Sequence, residues 1–229
     1  MTGAEMISSF LIKYDYVASN NARGFNSTEI LALLNNAQDD FIKQRMFGKN
    51  FQPPAFEQNQ KRVADLRSLI YSANISSVTG GILGEVIYPL PLTSPIFLYY
   101  IDSYTSLIRS NYPVISSAKF IQNKFIEHTS IGKFTNSEIN RTHFLNPIIY
   151  IEGSSIYVLA DRFTTISANN SLKFIYLRKP AVIVNSTTVP DLPVHTHEEI
   201  VDIAVNSGLQ IIGDPRWQTA MAQNQIKTE

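Results

Sequence analysis

The chain has 229 residues, 44% of them hydrophobic, with 19 basic and 19 acidic side chains that cancel and no cysteine. Those values exclude a disordered chain, a disulfide scaffold and a thiolate zinc site. Zero net charge also removes the electrostatic footprint of a free-standing nucleic-acid binder or a membrane-surface protein.

The opening stretch MTGAEMISSFLIKYDY lacks a basic lead and a long apolar core, so no signal peptide is expected. The N-terminal third reads as helical. Ile30, Leu33, Leu34, Ala37, Phe41 and Ile42 share one helical face. Asn26 and Glu29 have capping-box spacing, and Gly48 offers a stop. After NFQPP a second helix is expected from about Ala55 to Ser72, with Val63, Leu66, Leu69 and Ile70 as its stripe, forming an antiparallel hairpin with the first.

Beyond SSVTGG (76–81) the character changes. From Ile82 to about Ile108 the chain is rich in Tyr, Ile, Leu and Phe, with Pro89, Pro91 and Pro95 among them, which reads as irregular strands, at sheet edges wherever proline intrudes. A short helix is expected near 120–129. PIIYIEGSSIYVLADRF reads as strand, turn and strand, with EGSS as the turn. In LKFIYLRKPAVIV, Leu172, Phe174 and Tyr176 alternate with Lys173, Ile175 and Leu177, so both faces of that strand are partly apolar, and Pro180 ends it. The longest apolar stretch, YPLPLTSPIFLYYI, carries three prolines and falls short of the ~20 residues of a membrane helix, so no membrane association is expected.

The C-terminal part poses the sharpest chemical question. In LPVHTHEEIV, His195, His197, Glu198 and Glu199 are ligand types of a zinc or iron site. Yet Thr196 precedes Glu199 by three residues, the strict spacing of a capping box. Two acidic residues in a first helical turn also meet the positive end of the helix dipole. Ile200, Ile203, Ala204, Ser207 and Ile211 line one face beyond them, and Val201, Val205, Leu209 and Ile212 another. A third metal ligand would have to come from His128, His143 or a distant acid. The capped-helix reading, with Thr196 and Glu199 as the cap, is therefore preferred, and no metal or cofactor is expected. GDPRW then restarts a helix at Asp214 and Pro215.

No phosphate loop, dinucleotide fingerprint or nucleophile elbow occurs, so no catalytic residue is expected. TGGILGE has three glycines in the wrong spacing and reads as a turn into a strand. Asp39 and Asp40 fit the solvated edge of their helix better than a metal pair. Arg178, Lys179, Arg216 and Trp217 are the candidate interface residues: two cations beside an aromatic strand, and a lone tryptophan on a polar final helix. The tail TAMAQNQIKTE is expected to order only against a neighbour.

The order of features, EILALLNNAQDDFIKQRM, then LKFIYLRKPAVIV, then LPVHTHEEIVDIAVNSGL, resembles the head-to-tail connector (ring or adaptor) proteins of tailed bacteriophages. The nearest resemblance is to those of crAss-like short-tailed phages, with a more distant one to tail tubular protein A. It rests on residues 172–212 and 25–45. The resemblance implies a non-enzymatic virion protein, assembled in the host cytoplasm. Such a protein forms a homo-oligomeric ring, twelve-fold in the implied form, below the portal. The ring contacts the portal and other neck and tail ring proteins, docks the tail, and extends a channel through which DNA passes without sequence-specific contact. The expected fold is α+β. Helical parts at 1–75 and 191–229 pack together, and a central antiparallel β-domain occupies 76–190. Two rivals stand beside this expectation: a β-sandwich binding module for a glycan or protein, and a metalloenzyme using His195 and His197.

Overall fold

The computed structural model describes residues 1–17, 24–47, 61, 63–77, 79–80, 85–109, 115–132, 142, 145–160, 164–166 and 171–213. The fold is α+β, and the chain divides into two compact units, Met1–Leu69 with Pro180–Glu229, and Ile70–Lys179. Residues 70–75 thus belong with the strands, and 180–190 with the helices, which moves both expected boundaries.

The helical unit contains α1 (Gly3–Val17), α2 (Ser27–Phe47) and α3 (His197–Ile212), with α3 packed on both of the others. Within the helical N-terminal third, α1 is a helix separate from α2. Its signature is the four-residue spacing of Met6, Phe10 and Tyr14, all buried. Thr2 and Glu5 cap it reciprocally: Glu5 accepts the Thr2 N–H at 2.8 Å, and Thr2 Oγ1 accepts the Glu5 N–H at 3.3 Å. On α2 the whole expected stripe from Ile30 to Ile42 is buried. Phe10, Tyr14 and Phe25 pack ring against ring, with centroids 5.3–6.0 Å apart. Gly208 admits them to α3, since a Cβ there would stand only 3.3 Å from Phe25.

The second expected helix does not reach Ser72. Residues 63–66 are helical, Arg67–Leu69 tighten into a 3-10 turn, and Ile70 begins a strand. Leu66 and Leu69 are buried, whereas Val63 is exposed, so the stripe is narrower than its spacing suggested. The start expected at Ala55 and the stop at Gly48 lie outside the described residues.

Among the described residues the β unit holds ten strands: β1 (Ile70–Ile75), β2 (Thr79–Gly80), β3 (Glu85–Pro89), β4 (Phe97–Arg109), β5 (Ile115–Gln122), β6 (Lys124–Phe125), β7 (Ile148–Glu152), β8 (Ser155–Leu159), β9 (Thr164–Ile166) and β10 (Leu172–Arg178). One sheet runs β1-β10-β4-β5 with β9 also on β4, and the other runs β2-β3-β8-β7-β6. Among the described strands all pairings are antiparallel except β6 with β7. Leu172, Phe174 and Tyr176 of the first sheet share a core with Tyr88, Ile149, Ile156 and Val158 of the second, so the unit is a sandwich. The β7–β8 hairpin turns through Gly153 at φ 58, as EGSS anticipated.

Strict alternation breaks on β10, where Tyr176 and Leu177 are adjacent and both buried. Its register on β4 shifts at Ile175/Tyr176 and again at Leu177/Arg178, which leaves Ile101 and Leu98 of β4 as bulged extra residues. A polar seam also lies in this core. Thr105 Oγ1 donates to Asn123 Oδ1 at 2.7 Å, Asn123 Nδ2 donates to Ser103 Oγ at 2.8 Å, and the Tyr88 and Ser171 hydroxyls meet at 2.7 Å. Each of these buried groups has a partner, so the seam avoids the cost of unmade bonds.

The helix expected near 120–129 is absent: β5 and β6 occupy 115–122 and 124–125, followed by a 3-10 turn at His128–Ser130. Two adjacent apolar pairs, Phe120–Ile121 and Phe125–Ile126, set Ile121 and Phe125 four apart, a helical spacing. Each pair in fact splits, with Ile121 and Ile126 buried and Phe120 and Phe125 exposed.

Candidate functional site at the start of α3

The two histidines diverge. His197 is wholly buried, and its Nε2 lies 2.8 Å from the Leu192 carbonyl. A carbonyl only accepts, so Nε2 carries the proton and Nδ1 is bare. Nδ1 is buried without a partner. Protonation would place an unsatisfied N–H in the core, and burial accordingly lowers the His197 pKa below its ordinary 6.5, outweighing the Leu192 carbonyl, which raises it. His195 is 59% exposed at its side chain, and its Nε2 meets Asp65 Oδ1 at 2.8 Å. One ring serves the core and the other a carboxylate, so the pair does not converge on one ion. Among the described residues no three His, Cys, Asp or Glu side chains are placed to hold a metal.

The acidic pair is likewise divided. Glu198 pairs with Lys13 of α1, which also reaches Asp202 Oδ1 at 2.7 Å. Glu199 accepts from Arg45 Nη2 at 2.6 Å, and Arg45 Nε donates to Asp65 Oδ2 at 2.7 Å. Arg45 also lies over the Phe41 ring, 4.7 Å from its centroid. The side chains of Arg45 and Asp65 are only 10% and 2% exposed. A charge row therefore runs Glu199–Arg45–Asp65–His195, and it ties α2, the 63–66 turn and the α3 start together. A guanidinium suits this role because its planar fork serves two carboxylates at once.

Thr196 and Glu199 do not form the expected cap. Val194–Thr196 is a 3-10 turn that runs straight into α3, so Thr196 has helical backbone, φ −89 and ψ −14, and makes no capping bond. A side-chain cap needs extended backbone at that position. The Thr196 hydroxyl instead donates to the Pro193 carbonyl at 2.8 Å. Pro193, which is extended at φ −58 and ψ 146, opens the composite helix and has no side chain to cap it. At the other end Gly213 closes α3 in the left-handed region, φ 72.

Arg45, Asp65 and Lys13 are the residues that local spacing missed; nothing near them in sequence marks their partners. Of the candidate interface residues, half-buried Arg178 ends β10 opposite Phe97, and exposed Lys179 donates its N–H to the Ile96 carbonyl at 2.9 Å. Arg216, Trp217, the restart at Asp214 and Pro215, the tail and His143 lie outside the described residues. Among the described residues no helix is long and apolar enough to cross a membrane. Comparison with protein families finds no family model that matches the chain, and no curated protein matches it.

Proposed function

We infer that this chain is a head-to-tail connector protein of a tailed phage, a non-enzymatic subunit of a ring below the portal. The observation that carries the reading is the chain order of the two units. In sequence, the two segments of the helical unit, 1–69 and 180–229, flank the β-sandwich as an insertion, and the LPVHTHEEIVDIAV helix packs on α2 through Arg45. That order is the one on which the resemblance rests. The zero net charge also suits a channel wall that packaged DNA must pass without sticking. Infected-cell lysate separated on a density gradient, with the protein counted by peptide mass spectrometry, tests it. Cosedimentation with DNA-filled particles at roughly ten to fifteen copies each is expected of one closed ring. Recovery only with soluble protein refutes a virion role.

A second reading, a binding module for a glycan, is favoured by one face of the sandwich. Register sets Asn74 beside Lys173, Lys173 beside Tyr104, and Tyr104 beside Gln122, one polar row across four strands. Asn74, Lys173 and Tyr104 line a shallow depression with exposed Phe120. Titration with neutral oligosaccharides, followed by amide NMR shifts in this row, separates the readings. The connector reading expects none.

A further inference from the structure

Between Lys179 and Asp191 the chain reads PAVIVNSTTVP, without a charged residue. One side of this stretch is covered. Asn35 of α2 accepts the Ile183 N–H at 2.8 Å and donates to the Ile183 carbonyl at 3.1 Å. A single amide reaches both groups of one residue where the backbone is extended, since there they point the same way. Asn35 thus replaces a neighbouring strand for Ile183, whose side chain is 1% exposed. The Asn185 carbonyl lies against Gly3 so closely that any Cβ there would collide with it.

Among the described residues the other side is open. Alternation turns the N–H and C=O groups of Val182 and Val184 away from Asn35. Neither residue's backbone makes a hydrogen bond among the described residues, and the side chains are 56% and 72% exposed. A bare apolar face would not say what covers it. A row of unpaired main-chain groups does, because its spacing fits an extended strand.

The chain carries a second open edge of matching chemistry. β1, IYSANI, is uncharged and outermost in its sheet, with β10 on one side and no described strand on the other; Ile70 and Tyr71 are exposed. We propose that the Val182–Val184 edge of one copy receives β1 of a neighbouring copy as an added strand. This rests on the ring reading and names its subunit contact. Two different edges on one chain give a head-to-tail contact that can close into a ring, whereas Val182–Val184 pairing with itself would stop at two copies.

The absence of native cysteine makes the test direct. Cross-strand Cβ atoms stand about 4.5–5.5 Å apart, close to disulfide reach. Val184→Cys protein is mixed under thiol–disulfide exchange with Ser72→Cys or, to cover the alternative register, Asn74→Cys protein. A mixed disulfide dimer is expected with one of them, together with multimer ladders from the corresponding double variant. Adding Val182→Pro to Val184→Cys removes an outward N–H and leaves the Asn35 bonds intact. It should cut the mixed-dimer yield at least about tenfold if main-chain pairing supplies the affinity. No disulfide in any mixture, Val184→Cys homodimers alone, or a yield indifferent to Val182→Pro overturns the proposal. The particle gradient fails separately. Mixed dimers from a protein absent from particles refute the virion reading alone, and a ring's worth in particles without mixed disulfides refutes the edge pairing alone.

Discussion

At the start of α2, Asn26 and Glu29 satisfy each other's backbone. Asn26 Oδ1 accepts the Glu29 N–H at 2.8 Å, and Glu29 Oε2 accepts the Asn26 N–H at 2.9 Å. At the start of α3, Thr196 and Glu199 have the same spacing and turn to other partners, the Pro193 carbonyl and Arg45. Two conditions separate them. Asn26 precedes its helix, whereas Thr196 already lies in a 3-10 turn with helical backbone. In addition, a mostly buried guanidinium stands within reach of Glu199, and a charged hydrogen bond is worth about 1.5–3 kcal/mol against about 1 for a neutral one. A cap is thus a property of backbone and surroundings, and the letters alone do not secure it.

The difference is broken most severely at Arg45. Arg45→Ala would strand Asp65 as a buried, poorly compensated carboxylate and free Glu199, at an expected cost of about 3–5 kcal/mol in urea unfolding. A loss near 1 kcal/mol would mean that the charge row does not hold the α3 start. Acid provides a smaller perturbation. Because the folded His197 pKa is depressed, the unfolded chain binds the proton more readily. Stability should therefore be full above about pH 6.5 and decline as pH falls from there through the folded pKa. His197→Phe should flatten that part of the stability–pH curve, and an unchanged slope would remove His197 as its source.

Much of this architecture was legible. The α2 stripe, the EGSS hairpin and the two-faced β10 follow from local periodicity, because which side chains share a face is set by residues close in sequence, whatever later covers that face. The charge row was hidden for the opposite reason: Arg45 lies 154 positions from Glu199, and Asp65 lies 130 from His195. No spacing rule spans such distances. β1 misled differently. Ile70 and Tyr71 extend the apolar pattern of the preceding turn, yet as an edge strand they remain exposed. The 120–129 segment, expected to be helical, holds the end of β5 and all of β6, with Phe120 and Phe125 exposed.

Glutamine substitution sharpens the comparison. Glu199→Gln keeps the side-chain shape but removes the charge facing Arg45, and should cost about 2 kcal/mol. Asn26→Ala removes the α2 cap and should cost about 1 kcal/mol. Thr196→Ala should cost a similar amount, through one buried hydroxyl bond and not through a cap, so these two losses do not tell the helix starts apart. Glu29→Gln does. A glutamine oxygen accepts the Asn26 N–H as a carboxylate does, and a capping box tolerates either residue, so the change should stay within a few tenths of a kcal/mol. Matched urea titrations of Glu29→Gln and Glu199→Gln therefore decide the point. Unequal losses identify a cap at α2 and an ion pair at α3. Equal losses would mean that charge, and not the reciprocal backbone bond, governs both.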